Sequence, residues 1–270
     1  MASEQPTARP AKSGQIGWER KRVLIAVRTY PTPAQNGIEV SCTAGVTDNG
    51  QWIRLFPIPY RFLDSDRRFS KWQWIDVDVQ HSNDPRPESY RIDPESIEVI
   101  SAIPPKRTWD GRKKFIEPMR SGSLCELQQA QRHDKTANTL GFFRPKIIHR
   151  LKLDAESSEW TAGQLSRLRQ LPLFGNAPMS ELEKLPYKFS YEFECDDASC
   201  SGHVLSCTDW EMGQAYRRFG WRYKSGWEAK FRQKFEQEMI DRFDTSFFVG
   251  TMRAHPNSWI IVGLWYPLPI

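Results

Sequence analysis

One tripeptide sets the strongest constraint on this chain. Asp48-Asn49-Gly50 stands between two apolar runs, GIEVSCTAGV and QWIRLFPIP. Asn-Gly and Asp-Gly pairs tolerate the backbone that tight hairpin turns require. The two runs are therefore expected to pair as antiparallel strands, with Pro57 and Pro59 stopping the second or pushing it to an edge. RVLIAVRTY before them and WQWIDVDVQ after them read as further strands. In WQWIDVDVQ, Ile75, Val77 and Val79 alternate with Trp74, Asp76 and Asp78, which buries one face. SYRIDPESIEVI adds one or two short strands. Short strands at this spacing predict a small barrel or sandwich over residues 21–105.

Pro104-Pro105 marks a boundary. Beyond it, helices announce themselves by capping boxes: Ser123–Glu126, Thr161–Gln164, Thr208–Glu211 and Ser225–Glu228. In such a box, Ser or Thr accepts from the third residue, whose Glu or Gln reaches back. The last of these opens the clearest helix. There Trp227, Phe231, Phe235, Met239 and Phe243 recur every four residues as a buried stripe. Strands are expected near PKIIHRLKL, YKFSYEFEC, TSFFVGTM and SWIIVGLWY. Residues 106–270 thus read as an α+β domain, and residues 1–20, polar and proline-bearing, as a disordered tail. No internal repeat is visible.

Composition narrows the class. No apolar run approaches the roughly 18 residues of a membrane span, and the start has no apolar signal-peptide core. Five cysteines in 270 residues do not form a disulfide framework. A reduced, cytoplasmic protein without a membrane partner is expected. Aromatic residues make up 13% of the chain, eleven of them tryptophan, and the formal charge is +5. Aromatic rings offer bases a surface to stack on, and Lys and Arg neutralise phosphates.

The hairpin SCTAGVTDNGQWIRLFPIP resembles the opening hairpin of dual OB-fold proteins of bacterial conflict and defence systems. The resemblance lies in Cys42, Ala44 and Gly45 before the turn and Gly50, Trp52, Ile53 and Arg54 after it. It departs at Leu55 and Phe56, which precede Pro57 where the family has Pro directly after Arg. The resemblance implies an OB-like barrel for the N-terminal domain, followed by the mixed α+β domain. That barrel often binds single strands or other polyanions.

The candidate nucleic-acid contacts follow from the residues themselves. Trp52 and Arg54 share one face of their strand, which suits a base beside its phosphate; the alternative is a core Trp52 and an Arg54 paired with an acid such as Asp76. YRRFGWRYK places Arg217, Arg218, Arg222 and Lys224 among Tyr216, Phe219, Trp221 and Tyr223 at a helix end. Cations there also suit the macrodipole, but four in nine residues exceed that need. Two further basic stretches are PKRTWDGRKK (Lys106, Arg107, Trp109, Arg112, Lys113, Lys114) and RPKIIHRLK (Arg144, Lys146, His149, Arg150, Lys152). Both are open to blander readings, as a solvated linker and as a protected sheet edge.

Cys195, Cys200, His203 and Cys207 follow the spacing C-x4-C-x2-H-x3-C. These are ligand types that zinc accepts, and Asp196, Asp197, Ser201 and Gly202 between them are turn residues. A structural zinc clip is the metal reading; buried free cysteines are the other. Asp209 and Glu211 suggest metal-binding acids of a nuclease, but as first-turn residues of a capped helix they have an ordinary explanation. Phosphate-loop, dinucleotide, zinc-protease and serine-hydrolase motifs are missing. The expectation is a nucleic-acid-binding protein acting on DNA or RNA, with other proteins of a complex as further partners. The alternatives are a metal-dependent enzyme on nucleic acid and a protein-binding adaptor.

Overall fold

In a computed structural model of the chain, residues 12, 15–34, 39–106, 108–169 and 180–269 are described. The expected hairpin is present. β3 (Glu39–Thr47) and β4 (Trp52–Ile58) pair antiparallel across the Asp48-Asn49-Gly50 turn, where Gly50 takes φ 76°. Around it lie β1 (Trp18–Arg28), β2 (Thr32–Pro33), β5 (Gln73–His81), β6 (Ser89–Ile92) and β7 (Glu98–Ala102). β1 starts inside the segment expected to be a tail, because Trp18 to Leu24 find partners along β5. The rest of the expected tail, residue 12 and residues 15–17 apart, lies outside the described residues.

The first barrel closes on itself. β1 pairs β3 with its second half and β5 with its first. β3 continues to β4, β4 runs parallel to β6, and β6 returns antiparallel to β5. Val23, Ile25, Ile53, Leu55, Ile75, Val77 and Val79 fill the interior, as the alternation in WQWIDVDVQ requires.

The second half combines strands and helices. Its elements are α1 (Asp110–Ile116), α2 (Leu124–His133), β8 (Leu140–Phe143), β9 (Ile147–Ala155) and α3 (Ala162–Leu168). They continue as β10 (Tyr187–Glu194), β11 (His203–Ser206), α4 (Trp210–Tyr223), α5 (Trp227–Arg232), α6 (Glu238–Asp241), β12 (Ser246–Thr251) and β13 (Trp259–Trp265). One antiparallel sheet has the order β11-β10-β9 and another β13-β12-β8. A parallel bridge from Cys207 to Ile261 joins the end of β11 to β13.

This path repeats that of the first barrel. β8 and β9 follow each other closely and act as two halves of one bent strand, the first half on β12 and the second on β10. The third strand, β11, then meets the fifth, β13, in parallel, as β4 meets β6. The sequence shows no repeat because only the pairing pattern recurs. What differs is the segment between third and fourth strands: a 3-10 turn at Tyr60–Phe62 in one barrel, and α4 to α6 in the other.

The aromatic stripe lies where expected. Phe231, Phe235 and Met239 are buried, and Trp227 and Phe243 pack beside them. A strict four-residue spacing drifts around a helix of 3.6 residues per turn. The wider π-turn at Gln233–Gln237 takes up that drift. Caps are realised unevenly. Thr161 and Gln164 form the box as read; Ser123 accepts from the N–H of Glu126, but the Glu126 carboxylate accepts from Gly122 instead of reaching back to Ser123. α4, however, is capped by Asp209, whose Oδ1 accepts from the N–H groups of Glu211 and Met212 at 2.8 and 3.1 Å. Thr208 donates instead to the carbonyl of Ile261. Ser225 caps nothing, because a 3-10 turn runs directly into α5 behind Gly226.

The two barrels meet through a third apolar cluster containing Ala26, Val27, Trp52, Trp72, Phe142, Phe248 and Trp265. Among the described residues no helix is long and apolar enough to cross a membrane.

Candidate nucleic-acid interface and metal cluster

A cleft of about 550 Å³ opens at the seam between the barrels. The first barrel and α1 contribute Arg28, Lys71, Trp72, Trp109 and Arg112; the second contributes Trp210, Glu211, Arg218 and Tyr266. Arg28 ends β1, and its guanidinium carbon sits 4.0 Å from the Tyr60 ring centre and 4.5 Å from that of Trp210. Arg112 lies 4.8 Å from the rings of both Trp72 and Trp109. These two tryptophans adopt φ 70° and 55°, a left-handed conformation uncommon for bulky residues. Backbone strain of this kind gathers at ligand sites.

The charges of the cleft are unequally matched. Arg28 is 9% exposed and Arg112 7%. Among the described residues neither has a carboxylate within ion-pair distance. Among the same described residues each donates only to a backbone carbonyl, Phe69 for Arg28 and Ile103 for Arg112, and the Nε of each has no partner. Burial pulls Arg112 down to about 10, so it stays charged at neutral pH. Lys71 differs: its ammonium lies 3.2 Å from Asp209 and 3.4 Å from Glu211. Burial opposes its charge, but the two carboxylates outweigh burial and hold its pKa above the usual range. Lys71 in turn holds the Glu211 carboxyl below its ordinary value. Burial and the charge of Glu211 push Tyr266 up to about 12.

The cleft runs onto the outer face of α4 through Arg218. Arg218, Trp221, Arg222 and Lys224 are exposed there, and Trp221 is 76% exposed. Residues three and four apart on a helix are neighbours, so Trp221 stands beside Arg218, with Arg222 next in the chain. Arg222 lies over the ring of Tyr223 at 5.4 Å. Arg217 is held differently, by two bonds of 2.6 Å to Glu183.

Trp52 and Arg54 do not form the exposed pair read from their strand. Trp52 meets Phe248 edge-on in the seam. Arg54 is 2% exposed and bonds Glu88 and Thr139, so its acid is Glu88, while Asp76 binds Arg22. The reason is the second barrel, which covers that face. Much of the RPKIIHRLK strip is neutralised: Arg144, Lys146, His149 and Arg150 pair with Asp244, Asp196, Glu194 and Glu192. PKRTWDGRKK supplies Trp109 and Arg112 to the cleft; its Arg107 lies outside the described residues. Arg28 ends the apolar run Val23–Val27 of β1, a visible anomaly in RVLIAVRTY.

The cysteine cluster is corrected in one member. The thiols of Cys125, Cys195 and Cys200 and the imidazole of His203 lie with their ligand atoms within 4.8 Å of one another and could hold a metal ion. Cys207 is not among them. It directly follows the strand that His203 begins, and four residues of extended chain span roughly 13 Å. It is buried instead, with its N–H on the carbonyl of Phe189. Cys125 enters from the first turn of α2, far away in sequence. Cys195 and Cys200 flank the β10–β11 loop, where Asp197 accepts from Ser199 and Gly202 takes φ 86°. Burial and the neighbouring sulfurs push Cys125 up to about 12. Burial would also raise Cys200, but backbone N–H donors from Cys195 and Gly202 carry it below its ordinary value. Burial lowers His203, favouring the neutral imidazole. Asp209 and Glu211 are not part of this cluster.

Residues 120–269 match the family model described as domain of unknown function DUF8757, and residues 19–118 match that described as domain of unknown function DUF8758. The first match spans more than half of the 270 residues, and the chain belongs to that family. No curated protein matches the sequence. Among solved structures, the chain is similar to one described as a replication protein A heterotrimer bound to ssDNA, at 9% identity and a TM-score of 0.23. The match covers 93% of this chain and 65% of the other, less than two thirds of its length. A superposition this loose carries no functional conclusion.

Proposed function

We propose that this member of the DUF8757 family binds single-stranded nucleic acid, with phosphates in the cleft at the seam and bases on the outer face of α4. The observation that carries the reading is the pair Arg28 and Arg112. A buried cation without a paired anion is costly, and these two face a cleft, each flanked by aromatic rings, with only the longer-range charge of Glu211 acting on both. A phosphate supplies the missing charge, and a guanidinium fork can donate to it twice. Trp221 supports the single-stranded form, since a base offers its flat face to a side chain only when it is unstacked.

An enzymatic role has less support. The acids nearest the cleft, Asp209 and Glu211, are occupied in holding Lys71, and Asp209 also caps α4. The setting implied by the hairpin resemblance, a recognition component of a bacterial defence or mobile-element system acting with other proteins in the cytoplasm, belongs to the same proposal. The test is fluorescence anisotropy of the full chain with labelled single-stranded DNA, single-stranded RNA and duplex probes across a salt series. Salt-sensitive binding to a single-stranded probe, weaker on duplex, is expected. No binding to any probe at low salt would falsify the reading.

A further inference from the structure

We propose that Cys125, Cys195, Cys200 and His203 hold one zinc ion that clasps α2 to the β10–β11 hairpin. The donor set is the first argument. Three sulfurs and one imidazole make the Cys3His set of structural zinc sites. Thiolate and imidazole donors select zinc over magnesium, calcium or manganese, which prefer oxygen. Among the described residues no carboxylate belongs to the cluster, which argues against the oxygen-rich alternatives.

Geometry is the second argument. With Zn–S near 2.3 Å and Zn–N near 2.0 Å, a tetrahedral site sets its ligand atoms roughly 3.6–3.8 Å apart. The four atoms here all lie within 4.8 Å, and Cys125 Sγ approaches His203 Nε2 to 3.2 Å. Closing on an ion therefore needs shifts of tenths of an ångström to about one. The surroundings are prepared for it. The N–H of Cys195 donates to Cys200 Sγ at 3.2 Å, an arrangement that stabilises a thiolate. The His203 ring rests against Phe193 with centres 5.3 Å apart, which fixes its orientation.

Four protein ligands complete a zinc coordination shell and leave no open position, so the site is structural and not catalytic. Binding is a proton exchange with no redox step. Each of three thiols gives its proton to solvent, neutral His203 offers the Nε2 lone pair, and zinc remains divalent. The ligands come from segments some 70 residues apart, so the ion closes a long loop. It ties α2, the second of the two helices between the barrels, to the hairpin of the second one.

The experiment is elemental analysis of the full chain purified under reducing conditions, together with Cys125→Ser and Cys207→Ser. One zinc per chain is expected in the wild type and in Cys207→Ser. At least a tenfold loss of zinc retention against a competing chelator is expected in Cys125→Ser. Should Cys125→Ser fail to fold, Cys125→His restores a ligand. It is then expected to fold and to bind cobalt with a tetrahedral spectrum of weaker sulfur charge transfer than the wild type. Wild-type protein that neither carries zinc nor takes up one equivalent when it is added overturns the proposal. So does full zinc retention in Cys125→Ser, a disulfide among the three cysteines in reduced protein, or a folded Cys125→His that binds no cobalt. None of these readouts depends on nucleic acid.

Discussion

The two barrels follow one strand path, and the seam where they meet treats its buried charges in two ways. Where the second barrel closes over the outer face of the first, Arg54 is sealed against Glu88 and Thr139, and Arg86 against Asp84. Where the seam opens into the cleft, Arg28 and Arg112 are almost as deeply buried and have aromatic rings where those have carboxylates. The barrels themselves differ in what joins third to fourth strand, a short turn in one and the helices α4 to α6 in the other. A shared scaffold therefore says little about activity, whereas under the proposed function the matching of buried cations separates residues that hold the fold from residues that meet a ligand.

Breaking a matched pair is expected to have the largest effect. Glu88→Gln leaves Arg54 buried without its counter-charge and should cost roughly 3–5 kcal/mol of stability, read by denaturant unfolding. If Glu88→Gln is no less stable than the wild type, matched and unmatched arginines are equivalent and the contrast fails.

The unmatched pair should respond in the opposite sense. Arg28→Met or Arg112→Met keeps apolar contact with the rings and is expected to leave stability within about 1 kcal/mol of the wild type. Binding of a single-stranded oligonucleotide should weaken, and the slope of log affinity against log salt should fall by about 0.7 for each phosphate that is no longer neutralised. Equal salt slopes in variant and wild type would remove these arginines from the interface.

On the outer face of α4, Trp221→Ala is expected to cost about 1–3 kcal/mol of binding, the worth of one stacked base. Its thermal midpoint should not move, since the ring is mostly exposed. A smaller effect is expected at Glu211. Lys71 lowers its folded pKa, so its contribution to stability is complete above the ordinary glutamate range and is lost as pH falls through the lowered value. With the side chain 48% exposed, solvent screening limits this to below about 1 kcal/mol. The midpoints of wild type and Glu211→Gln should differ at neutral pH and converge in acid; a constant gap would assign the effect to packing instead.

Much of the first barrel was legible because local signals agreed: the Asp-Asn-Gly turn, the alternation of Ile75, Val77 and Val79, and the strands around them. Most strands of the second half were legible for the same reason. The recurrence of the barrel path was not, because it lies in which strands pair and not in residue identity. The outer face of α4 could be read from four cations among aromatic residues. The cleft could not, since Arg28, Lys71, Arg112 and Trp210 are brought together only by the packing of the barrels. The Cys/His cluster was readable where it was local. Cys125 was hidden because its partners lie some 70 residues away, and Cys207 was misread because ligand spacing does not reveal that a strand carries it out of reach.

Asp209 gives the seam a further meaning. One carboxylate caps α4, accepts from the N–H of Leu264 in β13 and binds Lys71 of the first barrel. A helix start, a strand end and a neighbouring barrel are thereby pinned to a single side chain. The boundary between the two family matches, at residues 118 and 120, divides stretches that each carry only part of the cleft. Each barrel is in effect the other's missing wall, and a change in what the cleft accepts would have to be written into both stretches of sequence at once.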